Sequence, residues 1–190
     1  EKYVPGGFGV TLFFFISGFL ITSLLLMEYE KYGQIKIYFF YMRRLIRLYP
    51  ALLFSATISI IVYTAFGGIV TLGEISASLF YYANYYHQSV GFGAAGTVPV
   101  GSFHPLSILW SLAIEEQYYL LFPIAIAPCI KNKSRLMAFF VLLAILSLFW
   151  RMFLQGVGMG ERIYMATDTR IDSIIYGAIL ATMLMSSYKK

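Results

Sequence analysis

The stretch LSILWSLAIEEQYYLLFPIAIA, residues 106–127, decides the fold class of this chain. It is long enough to cross a bilayer as a helix, because a spanning helix needs about 20 apolar residues. It nevertheless holds two adjacent carboxylates, Glu115 and Glu116, near its middle. A charge at bilayer depth costs roughly 2.5–3.5 kcal/mol on insertion scales, and such residues are functional-site candidates by default. The stretch therefore predicts a membrane helix that carries part of a functional site.

The composition of the whole chain agrees with this prediction. The 190 residues are 59% hydrophobic and only 12% charged, whereas soluble domains carry about 25% charged residues. We predict an all-α, polytopic transmembrane bundle that forms one domain over residues 1–190. Its five expected spans are residues 8–27, 48–66, 106–127, 136–155 and 171–187.

Charge and cysteine content exclude several classes of function. The net charge of +5 is explained by basic loops between spans, so we expect no nucleic-acid partner. The single cysteine, Cys129, excludes an intrachain disulfide and is expected to pack as a small side chain at a helix end. No metal-ligand spacing is present, so we expect no metal.

The distribution of Lys and Arg predicts the orientation in the membrane. Alternating the five spans puts ten basic residues on one side and four on the other. The positive-inside rule makes the richer side cytoplasmic. Residue 1 is then expected outside and residue 190 inside.

The outer stretch 67–105 contains no Lys or Arg and both histidines of the chain. Its aromatic segment 72–88 predicts an interfacial helix, with a re-entrant or short spanning helix left open. The Gly-rich segment 91–99 predicts irregular structure. His104 is a candidate substrate-binding residue at the mouth of a site, and His87 is a weaker candidate.

The carboxylates, the arginines and three aromatic residues are the other candidate site residues. On a helix, Ser107, Ser111, Glu115 and Tyr118 share one stripe, so hydroxyls could satisfy the buried acid. We expect Glu115 to handle a proton or to orient a base, or alternatively to form a structural hydrogen bond or an ion pair with Arg170. Further candidates for a catalytic role are Glu116, Arg170 and Asp172. Trp110, Tyr118 and Tyr119 are possible lining of an acyl or sugar pocket, with aromatic packing as the alternative.

A basic cluster follows the first predicted span. Arg43 and Arg47 share a helix face with Arg44 beside them, and planar guanidinium groups suit phosphate oxygens. These three arginines are therefore candidates for binding a phosphate-bearing cofactor. Anchoring to anionic lipid is the alternative.

Four motifs in order resemble the membrane acyltransferase-3 family of cell-envelope O-acyltransferases. They are GFGVTLFFFISGFLIT (7–22), FYMRRLIRLYP (40–50), WSLAIEEQYYLLFP (110–123) and TRID (169–172) with Gly177 and Ala181. The resemblance implies a roughly ten-helix fold of which this chain is a partial copy that lacks the first helix, where the family carries a catalytic histidine. We therefore expect the fragment alone to be inactive.

The resemblance also implies an activity. An acyl group, often acetyl, would pass from a cytoplasmic acyl-CoA to a hydroxyl of a carbohydrate or other envelope acceptor in the bacterial inner membrane. Arg43, Arg44 and Arg47 would bind the donor, and Glu115 would hold or tune the base. Two alternatives remain open: a transporter or flippase for an anionic substrate, and a truncated, inactive scaffold.

Overall fold

The computed structural model describes residues 6–90 and 105–187, and all regular structure in these two ranges is helical. The eight helices are α1 (Gly6–Tyr32), α2 (Ile37–Ala65), α3 (Leu72–Leu79), α4 (Ala83–Ser89), α5 (Leu109–Ile126), α6 (Lys133–Gly156), α7 (Gly160–Met165) and α8 (Thr167–Ser187). The all-α class is therefore confirmed. The segment 91–99 and His104 lie outside the described residues.

Each of the five long helices overlaps one predicted span, although α2 begins at Ile37 and not at residue 48, and the number of spans is not confirmed. Within the described ranges, three helices are long and apolar enough to cross a membrane: Gly7–Tyr32, Ile37–Ala65 and Lys133–Gly156. The polar residues 115–117 lower the hydropathy of α5, and the polar first turns of α8 have the same effect.

The single helix predicted over residues 72–88 is wrong, because the structure has two short helices there. The chain turns at Tyr81, whose φ of 56° lies in the left-handed region. Thr71 caps α3, since its hydroxyl accepts a hydrogen bond from the Glu74 backbone N–H at 3.1 Å. The two helices pack against each other and against α5.

Two glycines allow α1 and α8 to approach closely. A Cβ added at Gly18 would lie 1.9 Å from the carbonyl oxygen of Ile174, and one at Gly177 would lie 1.9 Å from that of Phe15. Glycine at such crossings lets helix backbones touch, as small residues do in membrane bundles. Gly18 and Gly177 therefore serve the close packing of these two helices.

Contacts along α6 and α8 show that these helices run in opposite directions. Lys133, at the start of α6, donates a hydrogen bond to the carbonyl of Met185 near the end of α8 at 2.7 Å. Ser147, further along α6, donates to the carbonyl of Asp168 near the start of α8 at 3.1 Å. The two helices are therefore antiparallel.

The core is aromatic and lies among α1, α5, α6 and α8. The rings of Phe122 and Phe140 stack at 5.7 Å, and Tyr118 stacks on Phe122 at 4.4 Å. Cys129 packs against this core from just beyond α5, as expected. By contrast, α2 is mostly exposed and is held to α5 by the Tyr41 hydroxyl, which donates to the Leu120 carbonyl at 2.5 Å.

Candidate functional site

Glu115 is buried at the contact between α5 and α1. Its side chain is 6% exposed, and its Oε1 accepts hydrogen bonds from the hydroxyls of Ser17 and Tyr119. Hydroxyl donors offset the cost of burying a carboxylate. Ser111 is not one of these donors, because its hydroxyl donates to the carbonyl of Ile108 at 3.3 Å. The hydroxyl donors to Glu115 are therefore Ser17 of α1 and Tyr119 of α5, and not the expected stripe of Ser107, Ser111 and Tyr118.

Tyr119 connects this buried carboxylate to the basic cluster. The guanidinium carbon of Arg44 lies 3.6 Å from the centroid of the Tyr119 ring, which is the distance of a close cation–π contact. Tyr119 is itself 3% exposed. Ser17, Glu115, Tyr119 and Arg44 thus form a continuous chain of contacts from α1 through α5 to α2.

Glu116 faces a different environment from its neighbour. It lines a cavity of about 300 Å³ between α2, α5 and the turn that joins α3 to α4. Its Oε1 is buried, and no described residue donates a hydrogen bond to it. The cavity is lined by Tyr41, Arg44, Leu45, Phe80, Tyr81, Glu116, Gln117, Tyr119 and Leu120. Glu116 therefore lines the cavity with a side chain whose buried Oε1 has no described hydrogen-bond donor.

The turn between α3 and α4 supplies a phenol to this cavity. Burial, with the Glu116 carboxylate nearby, raises the pKa of Tyr81 to about 12. The Tyr81 phenol is thus neutral at physiological pH and can donate a hydrogen bond. Gln117 holds the turn in place, because its amide nitrogen donates to the Tyr81 carbonyl at 2.7 Å and to Asn84 Oδ1 at 3.0 Å.

The predicted basic cluster lines a second, larger groove of about 690 Å³. It lies between the end of α1 and the start of α2, and its charged lining is Glu28, Lys31, Lys36, Arg43, Arg44 and Arg47. The structure thus brings the three predicted arginines together. Arg44 lines both this groove and the smaller cavity, so one side chain forms their common border.

The three arginines are not equivalent. Arg43 forms an ion pair with Glu28 at 2.9 Å, which offsets part of its charge. Arg44 is half-buried, and its described contacts are with the rings of Tyr119 and Phe40. Arg47 is exposed. Arg44 and Arg47 therefore keep more of their N–H donors for a ligand than Arg43 does.

Arg170 and Asp172 lie apart from both cavities and have separate partners, as their spacing predicts. Arg170 Nε donates to the carbonyl of Tyr164 at 2.8 Å, and its guanidinium lies 4.6 Å from that ring. Asp172 forms an ion pair with Arg151 on α6. Both contacts join the ends of neighbouring helices, and the possible ion pair between Arg170 and Glu115 is not formed.

Trp110 and Tyr118 lie in the aromatic core rather than along either cavity. The Trp110 ring meets Phe14 edge-on at 6.3 Å and Tyr164 at 5.1 Å. Tyr118 is 4% exposed and stacks on Phe122. Their position favours packing over direct contact with a ligand in these cavities. His87 is fully buried on α4.

Sequence reasoning did not assign Ser17 or Gln117 to the site, and it considered Tyr119 only as possible lining of a pocket. The contact of Tyr119 with Glu115 has a signal in the sequence, because the two residues are four apart and share a helix face. The bond from Ser17 has no such signal, since it joins residues 98 positions apart.

Comparison with known proteins supports the motif-based resemblance. A family model described as "Acyltransferase domain" matches residues 2–189. A Staphylococcus aureus (strain COL) protein named "Putative O-acetyltransferase SACOL0978" is 39% identical over 189 residues, which cover 95% of this chain and 31% of that protein. "O-acetyltransferase OatA" of S. aureus (strain NCTC 8325 / PS 47) is 36% identical over 188 residues, which cover 95% of this chain and 30% of that protein. The chain thus spans about a third of the length of these relatives, and no solved structure matches it.

Proposed function

Since the chain belongs to the membrane acyltransferase family whose model it matches from residue 2 to residue 189, we propose that it forms the donor side of an O-acyltransferase site. An acetyl group passes from acetyl-CoA to a hydroxyl of a cell-envelope carbohydrate. The names of the relatives support acetyl as the acyl group. The observation that carries the proposal is that Arg44 is shared by a basic groove and a smaller, mainly apolar cavity.

The basic groove has the chemistry that the donor requires. Coenzyme A carries a pyrophosphate and a 3′-phosphate, and guanidinium groups bind phosphate oxygens through paired N–H donors. Five basic residues line the groove against one carboxylate, Glu28. The surplus of positive charge favours an anion of this size over a neutral ligand.

The smaller cavity suits the acyl end of the donor. With phosphates near Arg44 and Arg47, the pantetheine arm extends past Arg44 toward Glu116. There the acceptor hydroxyl attacks the thioester carbon, the carbon–sulfur bond breaks and the ester carbon–oxygen bond forms. The hydroxyl proton goes to a general base, and coenzyme A leaves as a thiolate that takes up a proton.

The orientation of the protein follows from the same assignment. The groove lies at the end of α1 and the start of α2, which the positive-inside rule makes cytoplasmic. We place the protein in the bacterial inner membrane, with the donor arriving from the cytoplasm and the acceptor from the opposite side.

Donor binding is the direct test. Radiolabelled acetyl-CoA is titrated against the full-length protein in lipid nanodiscs, with Arg44→Ala, Arg47→Ala and the control Arg135→Ala. Arg135 is an equally basic, exposed residue near the start of α6, away from the groove. A charge-assisted hydrogen bond contributes about 1.5–3 kcal/mol, so each groove variant should weaken binding about tenfold or more.

The control decides how the result is interpreted. Unchanged affinity in Arg135→Ala with loss in both groove variants supports the proposal. Equal losses in all three variants would indicate a general charge effect, and tight binding by Arg44→Ala would overturn the assignment of the groove.

A further inference from the structure

We infer that Tyr119 is a positioning residue for Arg44, and that Glu115 acts through Tyr119 rather than on the reacting atoms. The inference rests on the proposed function, because it assigns the way in which the donor-binding arginine is held. Tyr119 provides the surface on which the guanidinium lies, and Glu115 and Ser17 fix that surface in place.

The stacked geometry leaves Arg44 well prepared for a phosphate. A guanidinium that lies over an aromatic ring is held through its face, while its N–H donors point outward in the plane. In Arg43, by contrast, one guanidinium nitrogen is already in an ion pair with Glu28 at 2.9 Å. The ring at 3.6 Å thus holds Arg44 without occupying the donors that a phosphate needs.

The hydrogen bond of the Tyr119 hydroxyl fixes the position of the ring. Its hydroxyl donates to Glu115 Oε1, and Ser17 donates to the same oxygen from α1. All three side chains are at most 7% exposed. A carboxylate that accepts two protein hydroxyls and lines neither cavity is placed to support a neighbour, whereas Glu116 lines the cavity itself.

The two roles predict different behaviour when Glu115 is replaced by glutamine. Its amide oxygen can still accept from both hydroxyls, so a positioning role survives Glu115→Gln. A role that requires the charge or a proton does not survive it. Glu115→Leu removes the acceptor and should have the same effect on donor binding as loss of the tyrosine hydroxyl.

The experiment is a double-mutant cycle on acetyl-CoA affinity in the full-length protein in nanodiscs. Tyr119→Leu removes the ring and should weaken binding about 5- to 30-fold, the equivalent of a desolvated cation–π contact. Tyr119→Phe keeps the ring and loses only the tether, so a smaller loss of about threefold is expected. In an Arg44→Gln background neither change should weaken binding further.

A second readout separates positioning from general damage to the fold. The KM for acetyl-CoA should rise in Tyr119→Phe, while the KM for the acceptor stays constant. Glu115→Gln should keep the donor KM within about twofold of wild type. Tyr176→Phe, which changes a tyrosine on α8 away from both cavities, serves as the matched control.

Two results would overturn the inference while leaving the proposed function intact: additive losses in the cycle, or loss of transfer in Glu115→Gln with unchanged donor affinity. Failure of the wild-type protein to bind acetyl-CoA would instead remove the proposed function, and this inference with it.

Discussion

Replacing Gly18 by alanine tests the close packing of α1 on α8. The new Cβ would lie 1.9 Å from the Ile174 carbonyl oxygen, whereas ordinary van der Waals contact begins at 3.4 Å. The two helices would have to separate by about 1.5 Å, since the clash is with backbone and no rotamer can relieve it. A gap of 0.5–1 Å already forfeits a quarter to a half of a dispersion contact. We therefore expect a loss of about 3 kcal/mol, the upper end of the range for overpacked sites.

The same helix offers a matched control. Gly9→Ala adds the identical methyl group where no atom lies within 4 Å, and alanine is the better helix former by about 1 kcal/mol. It should therefore be neutral or stabilising. The assay is the free energy of unfolding in mixed detergent micelles, followed by circular dichroism.

The difference between the two variants is the decisive quantity. If Gly18→Ala unfolds at the same free energy as Gly9→Ala, the close approach of the two backbones is refuted. Gly177→Ala should repeat the loss from the opposite side of the contact, because its Cβ would lie 1.9 Å from the Phe15 carbonyl oxygen.

Three further predictions concern polar contacts. Arg151→Met should lower the free energy of unfolding by about 3 kcal/mol, because it leaves the buried Asp172 without its ion pair. Arg162 pairs with Asp168 in a partly exposed position, so Arg162→Met should lower it by under about 1 kcal/mol. Equal losses in the two variants would contradict the reasoning. Asn84→Ala should cost about 1–3 kcal/mol in the same assay, since the fully buried amide joins Met165, Thr167 and Gln117, and an unchanged stability would argue against that network. Glu116→Leu removes the acceptor oxygen and should lower kcat for acetyl transfer at least about tenfold while the Kd for acetyl-CoA stays within about twofold, because Glu116 lines the small cavity and not the basic groove; a change in Kd alone would refute this separation.

The helices could be predicted because their signals are local. Apolar runs of the required length placed all five long helices, and each observed helix overlaps its predicted span. The segment 72–88 failed because one residue, Tyr81, adopts a left-handed conformation that periodicity does not register. Tyr81 packs, half-buried, against residues of α3, α4 and α5, and Gln117 holds its carbonyl by a hydrogen bond.

The site was predictable where its residues are close in sequence and not where they meet only in space. Arg43, Arg44 and Arg47 fall within two turns of one helix, so their position on one face followed from spacing, whereas the groove that they line did not. The bond from Ser17 to Glu115 depends on how α1 packs on α5. A serine in an apolar run of α1 carries no mark that distinguishes a hydrogen-bonding role from packing.

The two adjacent acids on α5 have different roles: Glu115 holds a neighbouring side chain in place, and Glu116 lines the cavity. Consecutive residues on a helix differ by about 100° in direction, so Glu115 meets α1 while Glu116 meets the cavity beside α2. A single carboxylate could not do both, because hydroxyl donors that satisfy it also withdraw it from a ligand. The pair therefore separates the tasks: Glu115 has two protein donors and a fixed position, whereas Glu116 keeps an oxygen to which no described residue donates. Replacing each acid by leucine should thus give different results: Glu115→Leu weakens donor binding through Tyr119, whereas Glu116→Leu lowers kcat and leaves the Kd for acetyl-CoA unchanged.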